Sequence, residues 1–200
     1  MADIIYTYGD KVYMNITNRC PCRCSFCIRS NGEGLGSAET LWHEREPSAE
    51  EIIAAIDGFD LSGFQEIAFC GYGEPLCALD NLVKAGNYIK SKYDIQIRIN
   101  TNGLGDLINN KSCAKIIGGF TDTVSISLNA PNPQRYVELS RPSFGEKSFD
   151  AIIEFAKECK KFIRTVRFSL VNVISEQEIE ECRKLARDLD IPLRVREYTK

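Results

Sequence analysis

Charge of one sign is what this chain lacks most plainly. Its 25 lysines and arginines and 28 acidic residues leave a net charge of −3. That balance argues against a global basic field of the kind that gathers nucleic acid. No apolar run approaches the roughly 20 residues needed to span a bilayer, so no membrane segment is expected. The N-terminal Met1-Ala-Asp-Ile-Ile-Tyr6 lacks a basic stretch ahead of a long apolar one, so no secretory leader is expected. A soluble, cytoplasmic protein is the expectation. Histidine is nearly absent, with His43 alone, and no repeat, low-complexity segment or linker is visible. The 200 residues, 44% of them apolar, suit one domain, 1–200, with a proper core.

Cysteine, by contrast, is plentiful, with nine residues. Clustered cysteines in a cytosolic chain point to metal binding or chemistry rather than to disulfides. Four fall within Cys20-Pro-Cys-Arg-Cys-Ser-Phe-Cys27, and Cys20, Cys24 and Cys27 have the spacing C-x3-C-x2-C. Thiolates select iron–sulfur clusters, zinc or copper(I). A four-iron cube takes four ligands, usually cysteines, so three would leave one iron open to a substrate or cofactor. A structural zinc site commonly uses two separated C-x2-C pairs, and this sequence has no second pair. Cys22 breaks the spacing and reads as a bystander. Cys70, Cys77, Cys113, Cys159 and Cys182 are scattered and read mostly as small core residues.

The rest of the chain alternates strand and helix. Residues 4–8 and 11–17 are β-rich around a Gly9-Asp10 turn and predict a hairpin. Further strands are predicted at 66–70, 95–100, 123–128, 165–173 and 192–197. Ser48-Ala-Glu-Glu51 is a capping-box signature that starts a helix. Other helices are expected at 79–92, 107–117, 149–162 and 176–189. Two stretches, 30–47 and 131–147, lack periodicity; loops of that length are functional or disordered. Such alternation implies parallel strands joined by right-handed crossovers. The parallel strands number six, and a complete eight-stranded barrel typically needs roughly 250 residues. The predicted fold class is therefore α/β, an open partial (βα)6 parallel barrel, with a doubly wound sheet as the alternative.

Several polar stops share one rim. The cysteine loop, residues 71–75, 101–103, Asn129 and Asn172 each lie at or near the C-terminal end of a predicted strand. Parallel α/β folds bind ligands on that side.

The cysteine segment, with Phe26 as the aromatic in C-x3-C-x-aromatic-C, and Gly71-Tyr-Gly-Glu-Pro75 downstream resemble the radical S-adenosylmethionine (SAM) superfamily. Within it the chain is similar to small proteins encoded beside TatD-type nucleases. The resemblance runs from about Tyr13 to the C-terminus and implies the open barrel. It also implies that Cys20, Cys24 and Cys27 each hold one iron of a [4Fe–4S] cluster, with the amino and carboxylate groups of SAM on the fourth. The candidate SAM contacts begin with Gly71, Tyr72, Gly73 and Glu74, which match the family's glycine-glycine-glutamate element. Tyr72 replaces one of its glycines. Thr101, Asn102, Ser127 and Asn129 occupy the places that contact ribose or carboxylate. Asn172 and Val173 would offer backbone groups to adenine, with Phe26 stacking nearby. Arg141 is a candidate fork for a substrate or SAM carboxylate. The ordinary readings stand beside these: glycine and Asn-Gly turns, core valines, a solvated arginine. His43 and Trp42 either pack or belong to a lid.

The implied reaction is one-electron reduction of SAM by the cluster. It yields methionine and a 5′-deoxyadenosyl radical that takes a hydrogen atom from a substrate. An external electron donor of the flavodoxin or ferredoxin type is implied. The loops 30–47 and 131–147 would exclude water. No general base, nucleophile or second cluster is evident, and no C-terminal extension for auxiliary clusters is expected. A short open barrel leaves room for a large substrate, a peptide or protein. The alternative is a non-catalytic zinc- or iron–sulfur-binding redox or scaffold module with Cys22 as a fourth ligand.

Overall fold

The computed structural model describes residues 2–198. Strands β1 (Ile5–Tyr8) and β2 (Lys11–Met14) form the expected hairpin, with Tyr6 opposite Tyr13. Strands β3 (Glu66–Phe69), β4 (Gln96–Thr101), β5 (Thr123–Ser127), β6 (Thr165–Val171) and β7 (Leu193–Arg196) follow. They lie in chain order, β1 through β7, and every pairing from β2 onward is parallel. A doubly wound sheet would reverse its strand order at a switch point; here the winding runs one way, as in a barrel. The sheet does not close. The six parallel strands agree with the sequence reading, and β1 adds an antiparallel edge.

The sheet's two faces differ in chemistry because side chains alternate along a strand. Ile67, Phe69, Ile97, Ile99, Val124, Ile126 and Phe168 face the helices and are fully buried. The residues between them, such as Arg98, Asn100, Ser125, Arg167 and Ser169, line the concave side. Helix α1 (Ala49–Asp57) begins with the predicted capping box: Ser48 Oγ accepts from Glu51 N at 3.2 Å, and Glu51 accepts from Ser48 N at 2.8 Å. Helix α2 (Leu79–Lys92) packs beside it, with Leu82, Ala85 and Ile89 turned to the core.

Two expectations need correction. The helix predicted over 107–117 is two short helices, α3 (Gly105–Asn109) and α4 (Ala114–Ile117). Asn110 adopts the left-handed conformation at φ 49° and stops the first, while Asp106 Oδ1 accepts from Cys113 N at 2.8 Å. The stretch 131–147 is not irregular throughout, since α5 (Pro133–Ser140) occupies it. Asn132 caps that helix by accepting from Arg135 N at 2.9 Å, and Pro133 fills its first turn. Helices α6 (Lys147–Cys159) and α7 (Glu176–Asp188) complete the outer layer. Among the described residues, no helix is long and apolar enough to cross a membrane.

Candidate active site

The cysteine loop leaves β2 and crosses the C-terminal mouth of the barrel. Backbone hydrogen bonds fix it on two sides. Arg23 N donates to Ser140 O and Ser25 N to Leu139 O, both at 3.0 Å, tying it to the end of α5. Glu74 N donates to Arg19 O at 2.8 Å, tying it to the turn after β3. Cys20, Cys24 and Cys27 are half-buried and Cys22 is buried. All four line one cavity of about 400 Å³. Phe26, Gly71, Tyr72, Asn102, Ser127 and Asn129 line the same cavity.

Cys22 therefore stands among the other thiols rather than apart from them. Its sulfur lies 3.8 Å from Asn102 Nδ2, which also sits 3.9 Å from Cys20 Sγ. Tyr136 Oη is 3.9 Å from Cys22 on the far side. The thiol of Cys22 hydrogen-bonds to Cys20 and Cys24 and keeps its proton, pushed far up by those two neighbours and by burial. The same bonds pull Cys20 down and bring Cys24 to about 7. Burial raises Cys27. Two of the motif cysteines are thus predisposed to be thiolates, the form that binds metal.

The turn after β3 is packed against this loop. A Cβ at Gly73 would sit 2.2 Å from Thr17 O and 2.9 Å from Arg19 O, so only glycine permits the approach. Tyr72, which stands where the family has a glycine, lines the cavity. The phenol reaches outward and donates to Gly32 O at 2.9 Å, lies 3.2 Å from Gly34 O, and meets Trp42 edge-on at 5.1 Å. This contact organises the segment 30–47, whose Leu41 is fully buried. Trp42 and His43 pack: Asn15 Nδ2 lies 3.0 Å from His43 Nε2 and donates to Leu41 O at 2.8 Å. Asn15 Oδ1 in turn accepts from Tyr72 N at 3.1 Å, so this asparagine joins the end of β2, the segment 30–47 and the turn. Arg29 makes a second tie, with guanidinium nitrogens 3.4 Å from both Cys22 O and Tyr72 O.

Glu74 faces a smaller compartment of about 180 Å³ below, together with Gly73, Thr101 and Asn102. Its buried carboxylate accepts from Asn102 N at 2.6 Å, Thr101 Oγ1 at 2.7 Å and Leu76 N at 3.1 Å. Burial raises its pKa to about 7 against the pull of those donors. Asn129 adopts the left-handed region at φ 57°, and its buried Oδ1 has no hydrogen-bond partner.

Gly73, Glu74 and Thr101 line only the lower compartment, and three further sequence candidates line neither. Asn172 is exposed, and its Oδ1 accepts from Tyr198 N at 2.7 Å, securing the segment after β7. Val173 is half-buried against the core, and Val171 lines the cavity in its place. Arg141 ends α5 at φ 44°, exposed and outside both compartments. Conversely, the sequence reading passed over Arg98, Arg167, Arg194 and Arg196, which line the lower compartment. Their signal was present: each occupies an alternate position in an otherwise apolar strand.

Fold and site together define a class: an open parallel α/β barrel with a cysteine-rich loop and a glycine–glutamate turn at its C-terminal mouth. The sequence profile of the radical SAM superfamily matches residues 14–188, and the chain belongs to that superfamily. Its members are enzymes that bind a [4Fe–4S] cluster and SAM and draw on an electron donor. The GTP 3′,8-cyclase of Listeria welshimeri is 28% identical over 191 residues, covering 94% of this chain and 54% of the cyclase. The chain thus spans about half the length of the curated relatives it matches. Streptococcus suis SuiB bound to its precursor peptide SuiA superposes with a TM-score of 0.68 at 21% identity, over 98% of this chain and 40% of SuiB. SuiB bound to S-adenosylmethionine gives 0.63 at 23% identity, over 94% of this chain and 38% of SuiB. At these identities the structures share the fold.

Proposed function

We propose that this chain acts as a single radical SAM core domain in which Cys20, Cys24 and Cys27 hold a [4Fe–4S] cluster. The observation that carries the proposal is the shared cavity: the three motif cysteines line it together with Gly71, Tyr72, Asn102, Ser127 and Asn129. The donor set suits a cluster. The thiols of Cys20, Cys24 and Cys27 line one cavity, and two of them are drawn toward the thiolate form. Bound there, the cluster and SAM would supply one-electron cleavage of the S–C5′ bond and hydrogen-atom abstraction from a substrate. Glu74 is occupied by three protein donors and Tyr72 N by Asn15 Oδ1, so of this turn it is the backbone of Gly71 that is offered to the cavity. The orphan Asn129 Oδ1 is an acceptor for SAM, and Phe26 supplies an apolar wall. The segment 30–47, held by Tyr72 and Asn15, excludes water.

The electron donor would be of the flavodoxin or ferredoxin type. The cyclase relatives suggest a nucleotide such as GTP as substrate, and the SuiB likeness a peptide. The narrower kinship to TatD-linked proteins rests on the sequence resemblance. One observation favours a competing reading: Cys22 sits among the other thiols, so a closed four-thiol site would make a redox or scaffold module.

Anaerobic reconstitution separates the two. The radical SAM reading predicts about four irons and four sulfides per chain, and 5′-deoxyadenosine when SAM and a strong reductant are added. Cys24→Ala should lose iron and SAM cleavage, whereas Cys22→Ala should keep both. Zinc alone, or loss of iron on Cys22→Ala, would reject the proposed ligand set.

A further inference from the structure

Beneath the cysteine cavity, the lumen of the barrel collects positive charge. Arg98 on β4, Arg167 on β6, and Arg194 and Arg196 on β7 line one compartment of about 180 Å³. Only Arg98 is neutralised: its Nε donates to Glu66 at 2.7 Å, and it also bonds Asn100. Arg167, Arg194 and Arg196 have no ion pair among the described residues, and the buried Nε of Arg167 has no partner. Elsewhere on the walls, Lys11 and Glu197 line the upper cavity. Glu74 borders the lower compartment, but its oxygens are turned to three donors. The arginines face one another across strands whose register fixes them. Ser125 pairs with Arg167, and Ser169 with Arg194. Arg167 is lowered by burial, then by Arg98; Glu66 opposes this, and Arg194 and Arg196 add to the lowering. Arg194 and Arg196 are exposed to solvent, while Arg167 is half-buried with its Nε sealed from water. Like charges gathered without counter-ions cost stability, and the buried unpaired donor of Arg167 costs more.

We propose that this lower lumen is an anion seat that holds a phosphate-bearing part of a small-molecule substrate. Three uncompensated guanidiniums match a diphosphate better than a single carboxylate. A phosphoryl group brings about −1.5 to −2 charge and three strong acceptor oxygens. Guanidinium forks fit such oxygens bidentately. Hydroxyls of Ser125, Ser127 and Ser169 on the same wall complete the donor set. The compartment's volume admits a phosphate group but not a peptide segment. It shares Asn102, Ser127, Arg98, Arg194 and Arg196 with the cysteine cavity above, Arg167 alone of the four arginines being confined to the lower one, so the body of an anchored molecule would extend toward the thiols. Its role as a substrate anchor rests on the radical SAM reading; the seat itself rests on the arginines.

The test is calorimetric titration of sodium pyrophosphate into the anaerobically reconstituted protein with SAM present, at fixed low ionic strength. Citrate and hexaglutamate are titrated in parallel. Saturable pyrophosphate binding is expected, weakened at least tenfold by Arg167→Gln with Arg194→Gln. Lys157→Gln, on exposed α6 surface, should leave it unchanged. Should that double variant not fold, by circular dichroism, Arg196→Gln on the edge strand gives the same readout. Three results overturn the proposal: no saturable binding, equal weakening by Lys157→Gln, or tighter binding of hexaglutamate or citrate than of pyrophosphate. Cleavage of SAM is followed in the same preparation. Cleavage without pyrophosphate binding removes the anion seat alone; pyrophosphate binding without cleavage removes the radical reading and leaves the seat.

Discussion

The substitution Glu74→Gln isolates the one buried carboxylate at the junction of the two compartments. In the folded chain this group has its pKa raised from 4.5 to about 7, mainly by burial. A carboxyl that holds its proton more tightly when folded stabilises the protein below its unfolded pKa. It loses that contribution as the pH rises toward the folded one. The window is therefore pH 4.5 to 7, and at about 1.4 kcal/mol per pKa unit the loss comes to about 3 kcal/mol. Glutamine has nearly the same shape and does not titrate. It leaves one of the three donors facing an amide N–H, an offset of about 1–3 kcal/mol that is the same at every pH. Urea unfolding of the metal-free wild type and variant from pH 4.5 to 8 gives the difference directly, because other carboxylates and thiols titrate alike in both. The wild type should fall relative to the variant as pH rises. Parallel curves would show that Glu74 keeps an ordinary pKa. A wild type that gains with pH would show that its three hydrogen bonds outweigh burial.

Two further outcomes follow from the packing of the turn after β3. Gly73→Ala places a methyl 2.2 Å from the backbone oxygen of Thr17, so the cysteine loop must move. Thermal unfolding should show a loss of about 1–3 kcal/mol, with reduced iron uptake on reconstitution; a wild-type iron content would contradict this contact. Tyr72→Phe keeps the ring against Trp42 but removes the bonds at 2.9 and 3.2 Å to the segment 30–47. About 1 kcal/mol should be lost, and limited proteolysis within 30–36 should accelerate; unchanged protection would mean the segment is held by other contacts.

The elements most legible from sequence are those with a local chemical signature. Ser48 and Glu51 announce α1, and the β1–β2 hairpin follows from alternation around Gly9-Asp10. The positions of the cysteine loop and residues 71–75 at strand ends follow from the strand–helix alternation itself. What was missed has identifiable causes. Asn132-Pro133 is a helix start, yet α5 is only eight residues and carries few apolar positions, so periodicity did not reveal it. The left-handed Asn110 breaks a helix whose apolar spacing continues across the break. Asn172 looks like the other strand-end polar residues, but where its side chain turns depends on the segment after β7, a tertiary fact. Cys22 broke the expected spacing, but its sulfur is placed by Asn102 and Tyr136, 80 and 114 residues distant.

The lumen arginines were within reach, and the reason bears on how the fold divides its tasks. Parallel strands buried on both faces read as continuous apolar runs. Here Ile97-Arg98-Ile99-Asn100, Val166-Arg167-Phe168-Ser169 and Leu193-Arg194-Val195-Arg196 alternate instead. Isoleucines 97 and 99 and Phe168 are fully buried on the helix side, while the residues between them face a cavity. Stability is concentrated in one layer, between strand and helix, and the concave face is left polar. An open barrel makes that division workable, because its concave side needs no packed core as a closed barrel interior does. Sequence choices that work against folding cluster at functional sites. The unpaired guanidiniums, the unpartnered Asn129 and the glycine pressed on the cysteine loop all meet in this concavity. Chemistry centred anywhere else in the chain would leave those three departures without a cause.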